Sequence, residues 1–265
     1  MKRLIYQVSL GRQSNSALYK HCIESVAQYC EKHGIEHIVQ TMPKLKIKPD
    51  LFSTNRSKDS YGKHGGFLPI YEKENAFDLL DDYDQIAIID ADIFIREDAP
   101  NIFDEMEEDK AWGSVVEREM RIDEKYVRKI LNYSNMQYGE LHRKMNKFSP
   151  NKRGFEFFNM GMIVLNCKNF KPYLNGDNAH KFITRIEFKN FVDGLGAWKW
   201  STDQTLLNFF LKKYDVPTQH LPDVWNGLYG ANTKIEECHF VHFFLKDLLP
   251  EKGENVTQLM KDIKA

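Results

Sequence analysis

Two aspartates, Asp90 and Asp92, stand one residue apart directly after the apolar run 86–89. Four apolar residues bounded by charge are typical of a strand buried in a parallel sheet. The carboxyl end of such a strand is where open α/β sheets bind their ligands. Carboxylate oxygens suit Mg²⁺ or Mn²⁺, and these ions commonly bridge phosphate oxygens. The pair therefore predicts metal-assisted chemistry on a phosphate-bearing substrate, although aspartates of this spacing also end ordinary strands.

The elements that would position this pair begin with a strand, a helix and a second strand. Residues 4–10 are typical of a strand, and residues 17–33 carry apolar side chains at helical spacings of three and four. Gly34 then ends the predicted helix as a C-terminal cap, and 35–40 follows as the second strand. This order predicts a parallel sheet of Rossmann-like topology. The dinucleotide fingerprint Gly-x-Gly-x-x-Gly does not follow the first strand.

The rest of the chain contains one long polar loop and several shorter elements. Residues 41–66 are rich in proline, glycine and polar side chains, which predicts a loop of the kind that often forms a lid. The other predicted elements are helices over 69–82, 100–108, 202–213 and 254–264, and strands over 111–117, 155–166 and 238–245. Residues 118–153 mix charges densely, and we assign no element there. We see no repeat or linker and expect one domain over residues 1–265.

Composition excludes some partners. The 265 residues carry a formal net charge of −1, so we expect no nucleic-acid partner. The four cysteines form no Cys-x-x-Cys pair, which gives a zinc or thioredoxin-like site no support. No apolar run approaches the ~18–20 residues of a membrane span, and the first residues do not form a secretory signal. We therefore expect a cytoplasmic protein without a transmembrane segment.

Three later segments carry polar residues that could join the aspartates. They are Phe158–Asn166, which contains Asn-Met-Gly, the stretch 201–208, which begins Ser-Thr-Asp-Gln, and the stretch 238–244, which reads Cys-His-Phe-Val-His-Phe-Phe. Residues three apart on a strand face opposite sides. We therefore expect His239 and His242 not to bind the same ion.

In this order the segments resemble the GT-A glycosyltransferases, in particular the glycogenin-like retaining galactosyl- and glucosyltransferase family. Residues 90–92 match that family's Asp-x-Asp motif, 158–166 its Phe-Asn-x-Gly segment, 203–208 its Asp-Gln-x-Leu-Leu-Asn segment, and 241–243 its Val/Ile-His-Phe strand. The triplet favours His242 over His239, which remains the alternative. The glycine and the Lys-Pro-Trp that usually follow are replaced by Leu245-Lys246-Asp247.

The resemblance implies an α/β protein with the GT-A, Rossmann-like fold, in which helices flank a mixed, mainly parallel central sheet in a single domain. Residues 1–117 would form the nucleotide-sugar-binding half, and residues 118–265 would bind the acceptor and complete the metal site. The implied metal ligands of Mn²⁺ (or Mg²⁺) are Asp90, Asp92 and His242. The implied donor-binding residues are Lys73, Asp90, Asn159, Gly161 and Lys246, and the implied catalytic residues are Asp203 and Gln204.

The implied function is metal-dependent transfer of a sugar from a nucleotide-sugar, a UDP-hexose, to a glycan or another hydroxyl acceptor, with retention of configuration. We expect the acceptor to bind along residues 118–153 and around Trp198 and Trp200. One alternative is a sugar nucleotidyltransferase, although such enzymes usually carry a glycine-rich basic loop after the first strand. The other is a non-catalytic carbohydrate-binding protein on the same fold. The sequence leaves the oligomeric state open.

Overall fold

The computed structural model describes residues 1–50 and 54–265. The strands are β1 (Arg3–Val8), β2 (Glu36–Gln40), β3 (Gln85–Ile89), β4 (Ile93–Ile95), β5 (Trp112–Val116), β6 (Pro150–Asn151), β7 (Gly154–Phe155), β8 (Phe158–Asn166), β9 (Thr218–Leu221), β10 (Gly227–Leu228) and β11 (Phe240–His242). The α-helices are α1 (Ala17–His33), α2 (Asn55–His64), α3 (Glu124–Met145), α4 (Cys167–Phe170), α5 (Ala179–Ile183), α6 (Lys189–Asp193), α7 (Asp203–Lys213) and α8 (Val256–Asp262).

A mixed central sheet has the strand order β2-β1-β3-β8-β5-β9. Strand β8 runs antiparallel to its neighbours β3 and β5, whereas the other neighbouring strands pair in parallel. All five residues of β3 are buried, as are eight of the nine residues of β8. Continuous apolar burial of this kind is typical of a sheet covered on both faces. The predicted α/β architecture with a mainly parallel sheet is confirmed.

A second, smaller sheet has the order β10-β11-β4 and begins directly after the aspartate pair. Strand β11 pairs in parallel with β10 and antiparallel with β4, which places His242 opposite Ile93. The turn 90–92 therefore connects the last residue of β3, in the central sheet, with the first residue of β4, in the small sheet.

The two predicted terminal helices are present, and they pack on each other. Helix α1 begins after Ser16, whose side chain accepts a hydrogen bond from the Tyr19 N–H, and it ends at Gly34 in the left-handed conformation (φ 64°). Helix α8 buries Leu259 in the same apolar cluster as Leu18 of α1. The terminal helix thus covers its own domain. No helix within the described part of the chain has the length and apolar character needed to cross a membrane.

Five sequence predictions differ from the structure, and one of them is the helix 100–108, which is a 3₁₀ helix over Ile102–Glu105. The predicted loop 41–66 contains helix α2, although residues 51–53 of that loop lie outside the described residues. Helix α2 has no apolar period, and contacts far along the chain hold it, among them hydrogen bonds from Arg56 to the carbonyls of Phe191 and Ser201. The predicted helix 69–82 is a 3₁₀ helix over Pro69–Leu79, and the last strand is only three residues long. The unassigned stretch 118–153 contains the 22-residue helix α3.

Candidate active site

Asp90, Asp92 and His242 form one cluster where the two sheets meet. The Nε2 atom of His242 lies 3.3 Å from Asp92 Oδ1 and 3.8 Å from Asp90 Oδ2. One ligand atom from each residue lies within 4.8 Å of the others. Backbone hydrogen bonds fix both aspartates, because the Asp90 N–H donates to the Gly161 carbonyl (2.8 Å) and the Phe243 N–H donates to the Asp92 carbonyl (2.9 Å).

The electrostatics of this cluster favour a cation. Burial is the main cause that raises the pKa of Asp90, and the nearby charge of Asp92 adds to it, while Lys73 and His242 act in the opposite direction. Burial alone would lower the pKa of His242, but the charge and hydrogen bond of Asp92, together with Asp90, raise it. Two carboxylates and one imidazole that converge on one point form a donor set for a divalent metal ion. The residues present therefore fit a divalent ion.

Gly161 gives the imidazole of His242 the room it needs. A Cβ atom at position 161 would lie 2.4 Å from His242 Cε1 and 2.6 Å from His242 Nδ1. The resemblance implied that Gly161 binds the donor, and its close neighbour in the structure is the histidine ring. The second ring nitrogen, Nδ1, lies 3.2 Å from Oδ1 of the fully buried Asn226.

Lys73 connects the Asp-x-Asp turn with the start of α7. Its Nζ donates hydrogen bonds to Asp90 Oδ1 (3.0 Å) and to the Met160 carbonyl (2.6 Å). The same atom lies 2.8 Å from Asp203 Oδ2. Burial would lower the pKa of Lys73, but the charges of Asp203 and Asp90 outweigh it and raise that pKa. The lysine therefore stays protonated and compensates the buried carboxylate of Asp203 and the partly buried carboxylate of Asp90.

Asp203 and Gln204 lie in the first turn of α7, against the start of β8. Thr202 is the N-cap, because its side chain accepts a hydrogen bond from the Gln204 N–H. The side-chain oxygen of Gln204 accepts a hydrogen bond from the Met160 N–H (3.2 Å). Asn208, one turn further on, bonds both the N–H (2.7 Å) and the carbonyl (2.9 Å) of Phe158. Helix α7 and strand β8 thus hold each other in register at the site.

A cavity of about 700 Å³ opens onto these residues. Among its lining residues are Tyr19, Lys73, Asp90, Asp92, Glu117, Tyr126, Lys129, Ile130, Tyr133, Asn159, Met160, Gly161, Asp203, Gln204, His242 and Leu245. Four of them belong to α3, within the stretch 118–153 where we expected the acceptor. We also expected the acceptor around two tryptophans, of which Trp198 is buried and Trp200 is 61% exposed.

Lys246 and His239 lie away from the carboxylates. The Lys246 ammonium is 5.4 Å from the ring centroid of Tyr19, which itself lines the cavity, so Lys246 is placed at the rim. The preceding Leu245 adopts the left-handed conformation (φ 56°) and also lines the cavity. The His239 ring packs on Trp225, with ring centroids 5.1 Å apart. The structure therefore brings His242, and not His239, to the aspartate pair.

Sequence reasoning missed Glu117 and Asn226. Glu117 follows β5 and lines the cavity, where its carboxylate accepts hydrogen bonds from Asn159 Nδ2 (2.9 Å) and from the Tyr126 hydroxyl (2.8 Å). Burial raises the pKa of Glu117, although these two hydrogen bonds act against it. The strand-end argument used for Asp90 would have found Glu117. Asn226 lies between two short elements, and nothing in the sequence marks it.

Comparison with known proteins identifies the family. A family model described as glycosyl transferase family 8 matches residues 10–246. The chain belongs to this family. The predicted glycosyltransferase activity is thereby confirmed, whereas no curated protein matches the chain.

Solved structures of glycosyltransferases share the fold of this family 8 protein. Mouse xyloside xylosyltransferase 1 in its apo form is 11% identical with a TM-score of 0.51, over 94% of this chain and 100% of that chain. The galactosyltransferase LgtC in complex with donor and acceptor sugar analogues is 13% identical with a TM-score of 0.50, over 98% of this chain and 94% of that chain. The likeness confirms the predicted single-domain GT-A fold.

Proposed function

We propose that this family 8 glycosyltransferase moves a hexose from a UDP-sugar to a glycan or another hydroxyl acceptor, in a reaction that needs Mn²⁺ or Mg²⁺ and retains the anomeric configuration. The observation that carries the proposal is the convergence of Asp90, Asp92 and His242 on one point in the wall of the cavity. A diphosphate needs a counter-cation when it leaves, and this donor set can hold one. A bound divalent ion would neutralise the charge that develops on the departing diphosphate.

The proposed donor site uses residues from both halves of the chain. It consists of Lys73, Asp90, Asn159, Gly161 and Lys246. Lys73 lines the cavity and bridges Asp90 to Asp203. Gly161 contributes through the His242 ring that it accommodates, and Asn159 through its hydrogen bonds to Gly161 and Glu117. Lys246, whose ammonium lies over the ring of Tyr19, would meet phosphate oxygens by charge.

The proposed reaction centre is at the amino end of α7. Asp203 is 4% exposed and in contact with Lys73, so we assign it an electrostatic and positioning role. Gln204 lines the cavity beside it and would face the anomeric carbon. The acceptor would lie against α3, opposite the donor half (residues 1–117), so that residues 118–265 bind it and supply His242. The solved LgtC complex, which holds donor and acceptor sugar analogues on this fold, supports a cavity shared by two sugars.

Thermal unfolding with UDP and Mn²⁺, added separately and together, tests the donor and metal parts of the proposal. A ligand at about 100 times its Kd adds about 2.7 kcal/mol to the stability of the native state. At ~2–4 °C per kcal/mol this raises the Tm by several degrees. We expect a shift that requires both ligands and disappears in Asp92→Asn. The matched control is Asp109→Asn, because the Asp109 side chain is 75% exposed and pairs only with Lys110 among the residues described.

Turnover tests the transfer itself. Screening UDP-hexoses against hydroxyl acceptors should give Mn²⁺-dependent UDP release, and the NMR coupling constant of the new anomeric proton reports retention or inversion. Full activity in Asp92→Asn would contradict the metal assignment. Release of pyrophosphate from a nucleoside triphosphate and a sugar phosphate would instead identify a nucleotidyltransferase.

A further inference from the structure

A buried chain of hydrogen bonds leads away from the candidate metal site. His242 Nδ1 lies 3.2 Å from Asn226 Oδ1, and Asn226 Nδ2 donates to Asn159 Oδ1 (2.8 Å). Asn159 Nδ2 donates to Glu117, whose other carboxylate oxygen accepts from the Tyr126 hydroxyl. The residues from His242 to Glu117 are at most 8% exposed, so water does not compete for these bonds.

The backbone N–H of Gly161 determines the direction of the hydrogen bonds that connect Asn159, Asn226 and His242. The Gly161 N–H can only donate, and it donates to Asn159 Oδ1 (2.9 Å). The Asn159 amide nitrogen therefore faces Glu117, which as a carboxylate only accepts. Since Asn159 presents an oxygen to Asn226, Asn226 must present its nitrogen in return. This leaves the Asn226 oxygen facing His242 Nδ1, which must then carry a hydrogen.

The protonation of Nδ1 determines what the other ring nitrogen can do. A neutral imidazole has one N–H and one lone pair, so a hydrogen on Nδ1 leaves the lone pair on Nε2. Nε2 is the atom that faces Asp90 and Asp92. Metal-binding histidines commonly donate their other N–H to an oxygen acceptor, which fixes both tautomer and ring orientation.

We propose that Asn226 is a positioning residue of the metal site: it holds His242 in the tautomer and orientation that present Nε2 to the ion, and Asn159 and Glu117 anchor Asn226. This inference rests on the proposed function, since it assumes that the ion binds to Asp90, Asp92 and His242. Asn226 touches neither the ion position nor the cavity, and it acts through the imidazole.

The test is the Kd of Mn²⁺ measured by calorimetry on Asn226→Leu, which keeps the number of side-chain heavy atoms but removes the acceptor. Loss of such a partner typically weakens metal affinity 10–100-fold. Asn232→Leu is the matched control, because Asn232 is also a buried asparagine, bonded to Asp223 and to the Lys234 N–H, and is not part of the chain of hydrogen bonds. We expect at least tenfold weaker Mn²⁺ binding in Asn226→Leu and an unchanged Kd in Asn232→Leu.

A conservative variant separates positioning from general damage. Asn226→Asp keeps an oxygen that accepts the Nδ1 hydrogen but has no N–H to donate to Asn159 Oδ1, so it should recover part of the affinity that Asn226→Leu loses. Equal Mn²⁺ affinities in Asn226→Leu and Asn232→Leu would overturn the inference, as would equally weak binding in Asn226→Asp and Asn226→Leu. If the leucine variants do not fold, the alanine variants at both positions give the same comparison. If the unmodified protein binds no Mn²⁺, the metal site itself is wrong, and the inference fails with it.

Discussion

Substitution of Gly161 by alanine tests whether the position of His242 matters to the metal site. The new Cβ would lie 2.4 Å from His242 Cε1, whereas carbon atoms in contact are normally ~3.5–4.0 Å apart. The ring, the backbone of β8, or both must therefore move by about 1 Å in total. The imidazole has little freedom to turn aside, because its side chain is 8% exposed and Asn226 holds Nδ1.

A displacement of this size is large on the scale of metal coordination, where ligand distances are met within about 0.2 Å. We expect Gly161→Ala to weaken Mn²⁺ binding about 10–100-fold, the range seen when a ligand loses its orientation. This corresponds to roughly 1.4–2.8 kcal/mol of binding free energy. Overpacking of the buried strand should also lower the free energy of unfolding by about 1–3 kcal/mol.

Calorimetric titration with Mn²⁺ measures the first effect, and urea unfolding measures the second. Gly62→Ala is the matched control, because Gly62 lies in helix α2 and has no positive φ. Apart from its chain neighbours and its own helix backbone, no atom of the described residues would lie within 4 Å of a Cβ there. The control should bind Mn²⁺ normally and be no less stable. Wild-type Mn²⁺ affinity in folded Gly161→Ala would refute the reasoning that the metal site depends on the room left by this glycine.

Three further predictions concern buried charge and backbone strain. Burial holds the pKa of Glu74 well above its ordinary value, and neither of its carboxylate oxygens has a hydrogen-bond partner among the residues that the structure describes. The native state therefore keeps a proton that the unfolded chain has released. The free energy of unfolding should fall as the pH rises above the ordinary Glu pKa. Urea unfolding from about pH 5 to pH 9 should show a shallower fall in Glu74→Gln than in the unmodified protein. Identical pH slopes for the two proteins would contradict this. The free energy of unfolding of Leu245→Gly should exceed that of Leu245→Ala by about 1 kcal/mol. Both variants lose the leucine side chain, and only glycine adopts φ 56° without strain. Equal Tm values of the two variants would contradict this. Lys73→Met should lower the free energy of unfolding by about 3–5 kcal/mol, because it leaves Asp90 and Asp203 without their cation; a loss under 1 kcal/mol in urea would show that the carboxylates are compensated otherwise.

Local signals were sufficient to predict the elements whose own residues determine them. Helix α1 combines a regular apolar period with Gly34 as its cap, and strand β3 is an unbroken apolar run. Helix α3 was missed although Asp123 caps it, because its buried face includes Ser134 and Gln137 and so interrupts the apolar period. Helix α2 was missed because its stability comes from contacts such as those of Arg56, which no local pattern shows.

The candidate site also combines residues that could be predicted from the sequence with contacts that could not. The aspartate pair could be predicted because a recognisable strand precedes it, whereas His242 was assigned from the resemblance of residues 241–243 to the family triplet. The contacts that the surrounding side chains make in the site could not be predicted. Lys73 was expected to touch the donor, and in the structure its ammonium contacts Asp90, Asp203 and the Met160 carbonyl. Lys73 and Asp203 lie 130 residues apart in the sequence, and no local pattern shows that their side chains are in contact.

The topology explains why the motif needs two aspartates one residue apart. Asp90 follows β3 of the central sheet and Asp92 precedes β4 of the small sheet, so each is fixed by a different sheet. Because β8 runs antiparallel, its first residues meet the carboxyl ends of β3 and β5. Gly161 can therefore bond Asp90 through its carbonyl while its N–H orients Asn159. A parallel strand in that place would present its last residues instead, and the link from Asp90 to His242 through Asn226 would be lost.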